Sequence, residues 1–192
     1  MDNKLVNLNH RDCILFLVDI QNVILENCIQ PERIPANASA LIEIARIFGI
    51  PVLFSVQNKD KLGGVLPELT EIVPRPRILD KLEFDSLENP AVAETIRQTG
   101  RKTILLAGIE THICIFHTGI GALRLGYGVH VAADCVTSRG RLNHETGLRR
   151  LDRAGAVISS TDMIIFELLH RAGTEEFRAS LPLLKRLQSM DE

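Results

Sequence analysis

The stretch CILFLVD, residues 13–19, is a six-residue apolar run that ends at an aspartate. A short, continuous apolar run is typical of a strand that is buried on both faces, as in a parallel sheet. Similar runs occur further along the chain, at 51–56, 103–107, 129–133 and 156–159, with a weaker candidate at 77–81. The first run therefore predicts a buried strand with Asp19 at its carboxyl end.

Amphipathic stretches separate these runs and carry helix start and stop signals. The stretch at 36–48 is followed by Gly49, and the stretch at 90–99 opens with Pro90. Further helices are expected at 112–125, 143–154, 161–171 and 174–188. Strands that alternate with helices indicate a parallel sheet covered on both faces. We predict an α/β fold, a three-layer α-β-α sandwich with a central, mostly parallel six-stranded sheet of Rossmann-like type, in a single domain over residues 1–192.

Composition and charge limit the classes of function. The chain has 192 residues, of which 45% are hydrophobic and 24% charged, and a net charge of −2, as in an ordinary soluble globular protein. The chain has no basic stripe of the kind that indicates nucleic-acid binding. None of its apolar runs approaches the roughly 20 residues of a membrane span. The N-terminal segment lacks the layout of a signal peptide. We expect a cytoplasmic protein with no nucleic-acid or membrane partner.

Reactive side chains are expected at one edge of the sheet. Asp19 ends the first strand, Lys81 ends the weak strand, and Cys114 follows the strand at 103–107. Ligands of open parallel sheets bind beyond the carboxyl ends of the strands. A helix N-terminus and a nearby ammonium would both lower the pKa of the Cys114 thiol, and Asp19 can accept its proton. The alternative is a plain ion pair beside a cysteine that only packs in the core.

The other cysteines are expected to have structural roles. Cys13, Cys28 and Cys135 are widely spaced from one another and from Cys114, and no two of the four form a C-x-x-C pair. This spacing disfavours a zinc site or a disulfide framework, so free thiols are expected.

Three segments resemble the isochorismatase-like cysteine hydrolases. They are LVDIQN (17–22), KLEFDSL (81–87) and GIETHICIFHTGIGALRLGYGVHVAADCVTSR (108–139), and the resemblance extends over about residues 11–186. It implies a triad in which Asp19 is the general base, Cys114 is the nucleophile, and Lys81 holds the acid and the thiolate in place.

The resemblance also implies an oxyanion hole and a substrate pocket. A cis peptide bond between Ile109 and Glu110 would direct the backbone N–H groups of Glu110 and Cys114 at an oxyanion. Residues implied to contact substrate are Gln21, Gln57, Phe84 and Ile109. The family further implies a dimer or larger homo-oligomer.

The activity implied by the resemblance is cleavage of a C–N amide bond in a small molecule through a thioester, without a cofactor. Nicotinamidases of this family bind a metal through an Asp-x-His pattern after the second strand. The corresponding region here, SVQNKDKLGG (55–64), has Asp60 but no histidine, so no metal is expected. The sequence most resembles an uncharacterised branch and has no marker for the vinyl-ether substrate of true isochorismatases. The alternative function is a non-catalytic or redox-sensing binding module on the same fold.

Gly119 and Gly121 lie inside the helix predicted at 112–125, where each interior glycine costs about 1 kcal/mol of helix stability. We expect that they allow close approach of another helix, within the protein or between subunits.

Overall fold

The computed structural model describes residues 7–188 and contains one six-stranded sheet with the strand order β3-β2-β1-β4-β5-β6. All neighbouring strands are parallel, which confirms the predicted sheet. The strands are β1 (Cys13–Val18), β2 (Val52–Gln57), β3 (Arg77–Lys81), β4 (Thr103–Ile109), β5 (Gly128–Thr137) and β6 (Val157–Ser159). β5 is longer than predicted, and its pairing with β4 shifts register between Leu106 and Gly108.

Helices cover both faces of the sheet. They are α1 (Asn22–Leu25), α2 (Arg33–Ile47), α3 (Lys59–Leu62), α4 (Pro67–Thr70), α5 (Pro90–Gln98), α6 (Phe116–Arg124), α7 (Arg141–Ala154), α8 (Thr161–Leu169) and α9 (Glu175–Gln188). The helix predicted from residue 112 differs at its start, because a π turn over Thr111–Ile115 precedes α6. No helix within residues 7–188 is both long and apolar enough to cross a membrane.

The continuous apolar run of β1 serves two cores. Cys13, Leu15 and Leu17 pack into the core shared with α2, α8 and α9. The alternate residues of the strand, Ile14, Phe16 and Val18, pack into the core shared with α5, α6 and α7. Since successive strand residues point to opposite faces, a strand between two helical layers needs apolar residues at every position. The predicted three-layer arrangement is confirmed.

The strand order creates a crevice at the carboxyl ends of β1 and β4. From β1 the chain continues to β2 and β3 on one side and then returns to β4 on the other side. Such a reversal is the usual ligand site of an open parallel sheet. Gly108 allows the two strands to approach closely there, because a Cβ atom at this position would overlap the carbonyl oxygen of Val18.

The two helical glycines of α6 have different neighbours. A Cβ atom on Gly119 would lie 2.6 Å from Leu151 Cδ2 of α7, so the expected close helix approach is confirmed for Gly119. A Cβ atom on Gly121 would instead overlap the carboxylate of Asp85, which lies in the loop before α5. Both contacts are within one chain.

The imidazole of His130, buried in β5, predicts a loss of stability in acid. Its Nδ1 has no hydrogen-bond partner among the described residues, and burial lowers its pKa from 6.5 to about 4. Between these values the unfolded chain binds more protons than the folded chain, so stability falls as the pH is lowered. We expect the wild type to lose about 2–3 kcal/mol more than His130→Leu when urea unfolding at pH 7.5 is compared with pH 4.5.

The control is His117→Leu, which removes an exposed histidine from α6. Its acid loss should match that of the wild type. Equal losses in the wild type and in His130→Leu would contradict the prediction.

Candidate active site

Asp19 follows β1 directly and lies at the centre of the crevice. Its side chain is fully buried, and its backbone turns into the left-handed region with φ of 56°. Its N–H donates to the carbonyl of Ser55 (3.0 Å), and its Oδ1 accepts a hydrogen bond from Ser55 Oγ (2.8 Å). β2 therefore fixes both the backbone and the carboxylate of Asp19.

Lys81 ends β3, and its fully buried ammonium is the centre of the site. Nζ donates to Asp19 Oδ2 (2.7 Å), Gln57 Oε1 (2.7 Å) and the Glu83 carbonyl (3.1 Å). It also lies 3.9 Å from Cys114 Sγ. Three remote parts of the chain thus bring a carboxylate, an ammonium and a thiol together at one edge of the sheet.

Cys114 lies in the π turn between β4 and α6 and is 6% exposed. Burial, followed by the negative charge of Asp19, raises the pKa of its thiol, and the positive charge of Lys81 opposes them without outweighing them. The expectation of a lowered pKa is therefore wrong for the free site. The main reason is burial of the thiol, and the pairing of the ammonium with Asp19 leaves the thiol next to a nearly neutral ion pair that does not offset this burial.

The turn before Cys114 is held by hydrogen bonds of the Glu110 backbone and side chain. The peptide bond between Ile109 and Glu110 is cis, as the resemblance implied. The carbonyl of Glu110 accepts hydrogen bonds from the N–H groups of Ile113 (3.0 Å) and Ile115 (3.2 Å). Its buried carboxylate accepts the N–H of Arg139 (2.9 Å), and the Arg139 guanidinium lies 3.6 Å away. The side chain of Glu110 thus holds the turn against the end of β5.

Two histidines make further contacts with the same turn. His144 Nδ1 of α7 lies 2.9 Å from Thr111 Oγ1, and His112 Nδ1 lies 3.0 Å from Ser138 Oγ. No three His, Cys, Asp or Glu side chains group as a metal site anywhere in residues 7–188. The absence of a metal or other cofactor stays a prediction.

The four residues implied to contact substrate lie in different surroundings. Gln57 binds Lys81, and Gln21 binds the backbone of Gln57. The side chain of Ile109 is fully buried in the core on the α2 face. Phe84 is 56% exposed and, with Phe116, lines a surface groove of about 600 Å³ that lies outside the triad.

Sequence reasoning missed Ser55 and Arg139. Ser55 is a fully buried polar residue inside the apolar run VLFSV, and a polar residue in a run of this kind was a usable signal. Arg139 carried no such signal, because its contact with Glu110 depends on how β4 and β5 pair.

Comparisons with known proteins give one matching family model, relatives of similar sequence and solved structures of similar fold. A family model described as the isochorismatase domain matches residues 13–163. The secreted isochorismatase effector Isc1 of Phytophthora sojae is 32% identical over 187 residues, covering 95% of this chain and 89% of that protein. The structure of MAR1 ribonuclease from Caenorhabditis elegans has a TM-score of 0.87 at 28% identity and covers 93% and 92% of the two chains. The YcaC gene product of Escherichia coli, described as an octameric hydrolase of unknown specificity, has a TM-score of 0.86 at 22% identity over 96% of each chain.

Proposed function

Because this chain belongs to the isochorismatase-like hydrolase family, we propose that residues 1–192 form one hydrolase domain that cleaves a C–N bond of a small amide through a thioester on Cys114. The observation that carries the proposal is the contact of the Lys81 ammonium with both Asp19 and Cys114. A carboxylate near a thiol can act as its base, and an ammonium between them can compensate the charge that moves from one to the other.

The first half of the cycle forms the thioester. In the resting site Asp19 is a carboxylate, Lys81 is an ammonium and Cys114 is a thiol. As the sulfur attacks the amide carbon, the S–H proton moves to Asp19, and a new C–S bond forms. The backbone N–H groups of Glu110 and Cys114 donate hydrogen bonds to the carbonyl oxygen and stabilise the negative charge that develops on it. When the C–N bond breaks, Asp19 gives its proton to the leaving nitrogen, and ammonia or an amine departs.

The second half of the cycle hydrolyses the thioester. Asp19, again a carboxylate, removes a proton from water, and the oxygen attacks the thioester carbon. The C–S bond breaks, and the sulfur regains its proton from Asp19. One amide and one water thus give one carboxylic acid and one amine, with the protein unchanged.

The redox-sensing alternative fits this environment less well. Redox-sensor cysteines are generally exposed and have a low pKa. Cys114 is 6% exposed, and burial raises its pKa. A buried thiol with a raised pKa is therefore more consistent with hydrolysis than with redox sensing.

The remaining proposals concern partners and location. We propose a homo-oligomer, because Leu82 and Phe84 expose apolar side chains directly after Lys81, and the E. coli neighbour is described as octameric. A small-molecule substrate, a cytoplasmic location and the absence of nucleic-acid and membrane partners stay predictions. The P. sojae relative is described as secreted, and the C. elegans neighbour as a ribonuclease.

The test is to incubate the full chain with a panel of small amides and p-nitrophenyl esters and to map adducts by peptide mass spectrometry. We expect an acyl group on the peptide that contains Cys114 and release of ammonia from at least one amide. The peptides with Cys28 and Cys135, which are also buried thiols, are internal controls and should stay unmodified. A panel without any acyl adduct, together with ready oxidation of Cys114 by peroxide, would instead support the redox-sensing alternative.

A further inference from the structure

We propose that Gln57 is a positioning residue: anchored by Gln21, it fixes the ammonium of Lys81 between Asp19 and Cys114. The inference rests on the proposed function and gives both glutamines a role other than contact with substrate. It follows from the hydrogen bonds of three side chains, taken in order from the ammonium outward.

The ammonium of Lys81 has three protons, and each has an acceptor. Besides Asp19, the acceptors are the side-chain oxygen of Gln57 (2.7 Å) and the carbonyl of Glu83 (3.1 Å). A fully buried ammonium needs all three hydrogen bonds, since unpaired donors are costly there. Gln57 is the only one of these acceptors that is a neutral side chain. Its removal would therefore free the ammonium to turn without deleting a charge.

The amide of Gln57 can face Lys81 in one orientation only. Its Nε2 donates to the carbonyl of Leu82 (2.8 Å), which can only accept, while its Oε1 accepts from Lys81, which can only donate. Exchanging the two amide atoms would place donor against donor and acceptor against acceptor. Both polar atoms of the side chain are thus engaged inside the protein.

Gln21 holds the backbone of Gln57 at two points. Its Oε1 accepts the N–H of Gln57 (2.8 Å), and its Nε2 donates to the carbonyl of Gln57 (3.1 Å). The same Nε2 donates to the carbonyl of Gly63 (2.7 Å), and the Gln21 side chain is fully buried. An amide with these bonds supports the end of β2 and the loop behind it. Gln21 therefore fixes the backbone of Gln57, and the side chain of Gln57 fixes the ammonium of Lys81.

The test measures the reactivity of the Cys114 thiol with iodoacetamide and needs no substrate. Alkylation of the Cys114 peptide is followed by mass spectrometry at pH 8 in the wild type, Gln57→Met, Lys81→Met and the double variant. Methionine keeps the length of glutamine, but its thioether sulfur is only a weak acceptor for the Lys81 proton. We expect Gln57→Met to slow alkylation about tenfold, the equivalent of a rise of about one unit in the pKa of the thiol, because an ammonium that is free to turn away from Cys114 opposes the charge of Asp19 there less effectively.

The double variant separates positioning from a general structural role. If Gln57 acts through Lys81, the double variant reacts within about twofold of Lys81→Met alone, since neighbours that act as a unit are not additive. The control Gln98→Met removes an exposed α5 glutamine that donates to Glu94 (2.7 Å) and should react like the wild type. If Gln57→Met does not fold, Gln57→Ala replaces it with the same expectations.

Two results would overturn the proposal. One is an unchanged alkylation rate in folded Gln57→Met, and the other is a slowing that simply multiplies that of Lys81→Met in the double variant. Alkylation requires only the thiol, so an amide panel without turnover would leave this test intact. Conversely, the absence of coupling would leave the proposed hydrolysis standing.

Discussion

Replacing Cys114 with alanine is expected to reduce ammonia release from any amide substrate at least about 1,000-fold and to abolish the acyl adduct. The reason is that the proposed cycle forms its only covalent bond on this sulfur. The fold should survive, because the cysteine side chain is small and the alanine leaves only a minor cavity. We expect the free energy of unfolding to fall by no more than about 1–2 kcal/mol.

The matched control is Cys135→Ala. Cys135 is a fully buried cysteine of β5 that packs in the core on the α2 face, away from the triad. It should lose a similar amount of stability and keep its turnover, whereas Cys114→Ala keeps its fold and loses turnover. Ammonia release from Cys114→Ala at a tenth or more of the wild-type rate would contradict the nucleophile assignment.

The fold was predictable because its decisive residues carry their signal locally. Each residue of β1 had to be apolar for burial between two helical layers, and that requirement is visible as the run at 13–18. Helix starts were predictable where the cap is a local contact. Asn89 is an example, since its side chain accepts the N–H groups of Ala91 and Val92 directly before α5. The π turn at Thr111–Ile115 has no comparable local signal, so the helix there was predicted from its apolar pattern alone.

The site was predictable only as a set of positions. Strand ends meet at one edge of a parallel sheet, so the order of Asp19, Lys81 and Cys114 along the strands indicated that they would meet. Their electrostatics could not be read from the sequence. The raised pKa of Cys114 depends on its burial and on which group the Lys81 ammonium already faces, and both are properties of the packed structure.

The residues around the triad show the same limit. Gln57 matched a pocket position of the family, but its two amide atoms bind Lys81 and Leu82. Phe84 also matched a pocket position, yet it lies on the surface beside Phe116. A residue type and its place in a motif indicate proximity to a site, whereas the direction of its side chain depends on neighbours that are remote in the chain.

Replacing Lys81 with methionine is expected to destabilise the protein by about 3–5 kcal/mol and to remove its turnover. Both side chains of the ion pair are 0% exposed, so the variant leaves the Asp19 carboxylate without its counter-charge in the interior. Ser55 Oγ stays as a donor to the carboxylate, but a single hydroxyl does not compensate a full charge. Urea unfolding at pH 7.5 measures the loss, and a midpoint equal to that of the wild type would contradict it.

Combining Lys81→Met with Asp19→Asn separates the two roles of the ion pair. Asparagine has the shape of aspartate without the charge and tolerates the left-handed backbone at position 19, where φ is 56°. The double variant should therefore recover most of the lost stability, because a buried charge without a partner costs more than a neutral pair. Its turnover should stay absent, since no base accepts the proton of Cys114. Recovery of stability without recovery of turnover would show that the ion pair is needed for catalysis and not for stability. A double variant as unstable as Lys81→Met would instead show that the pair itself holds the ends of β1 and β3 together.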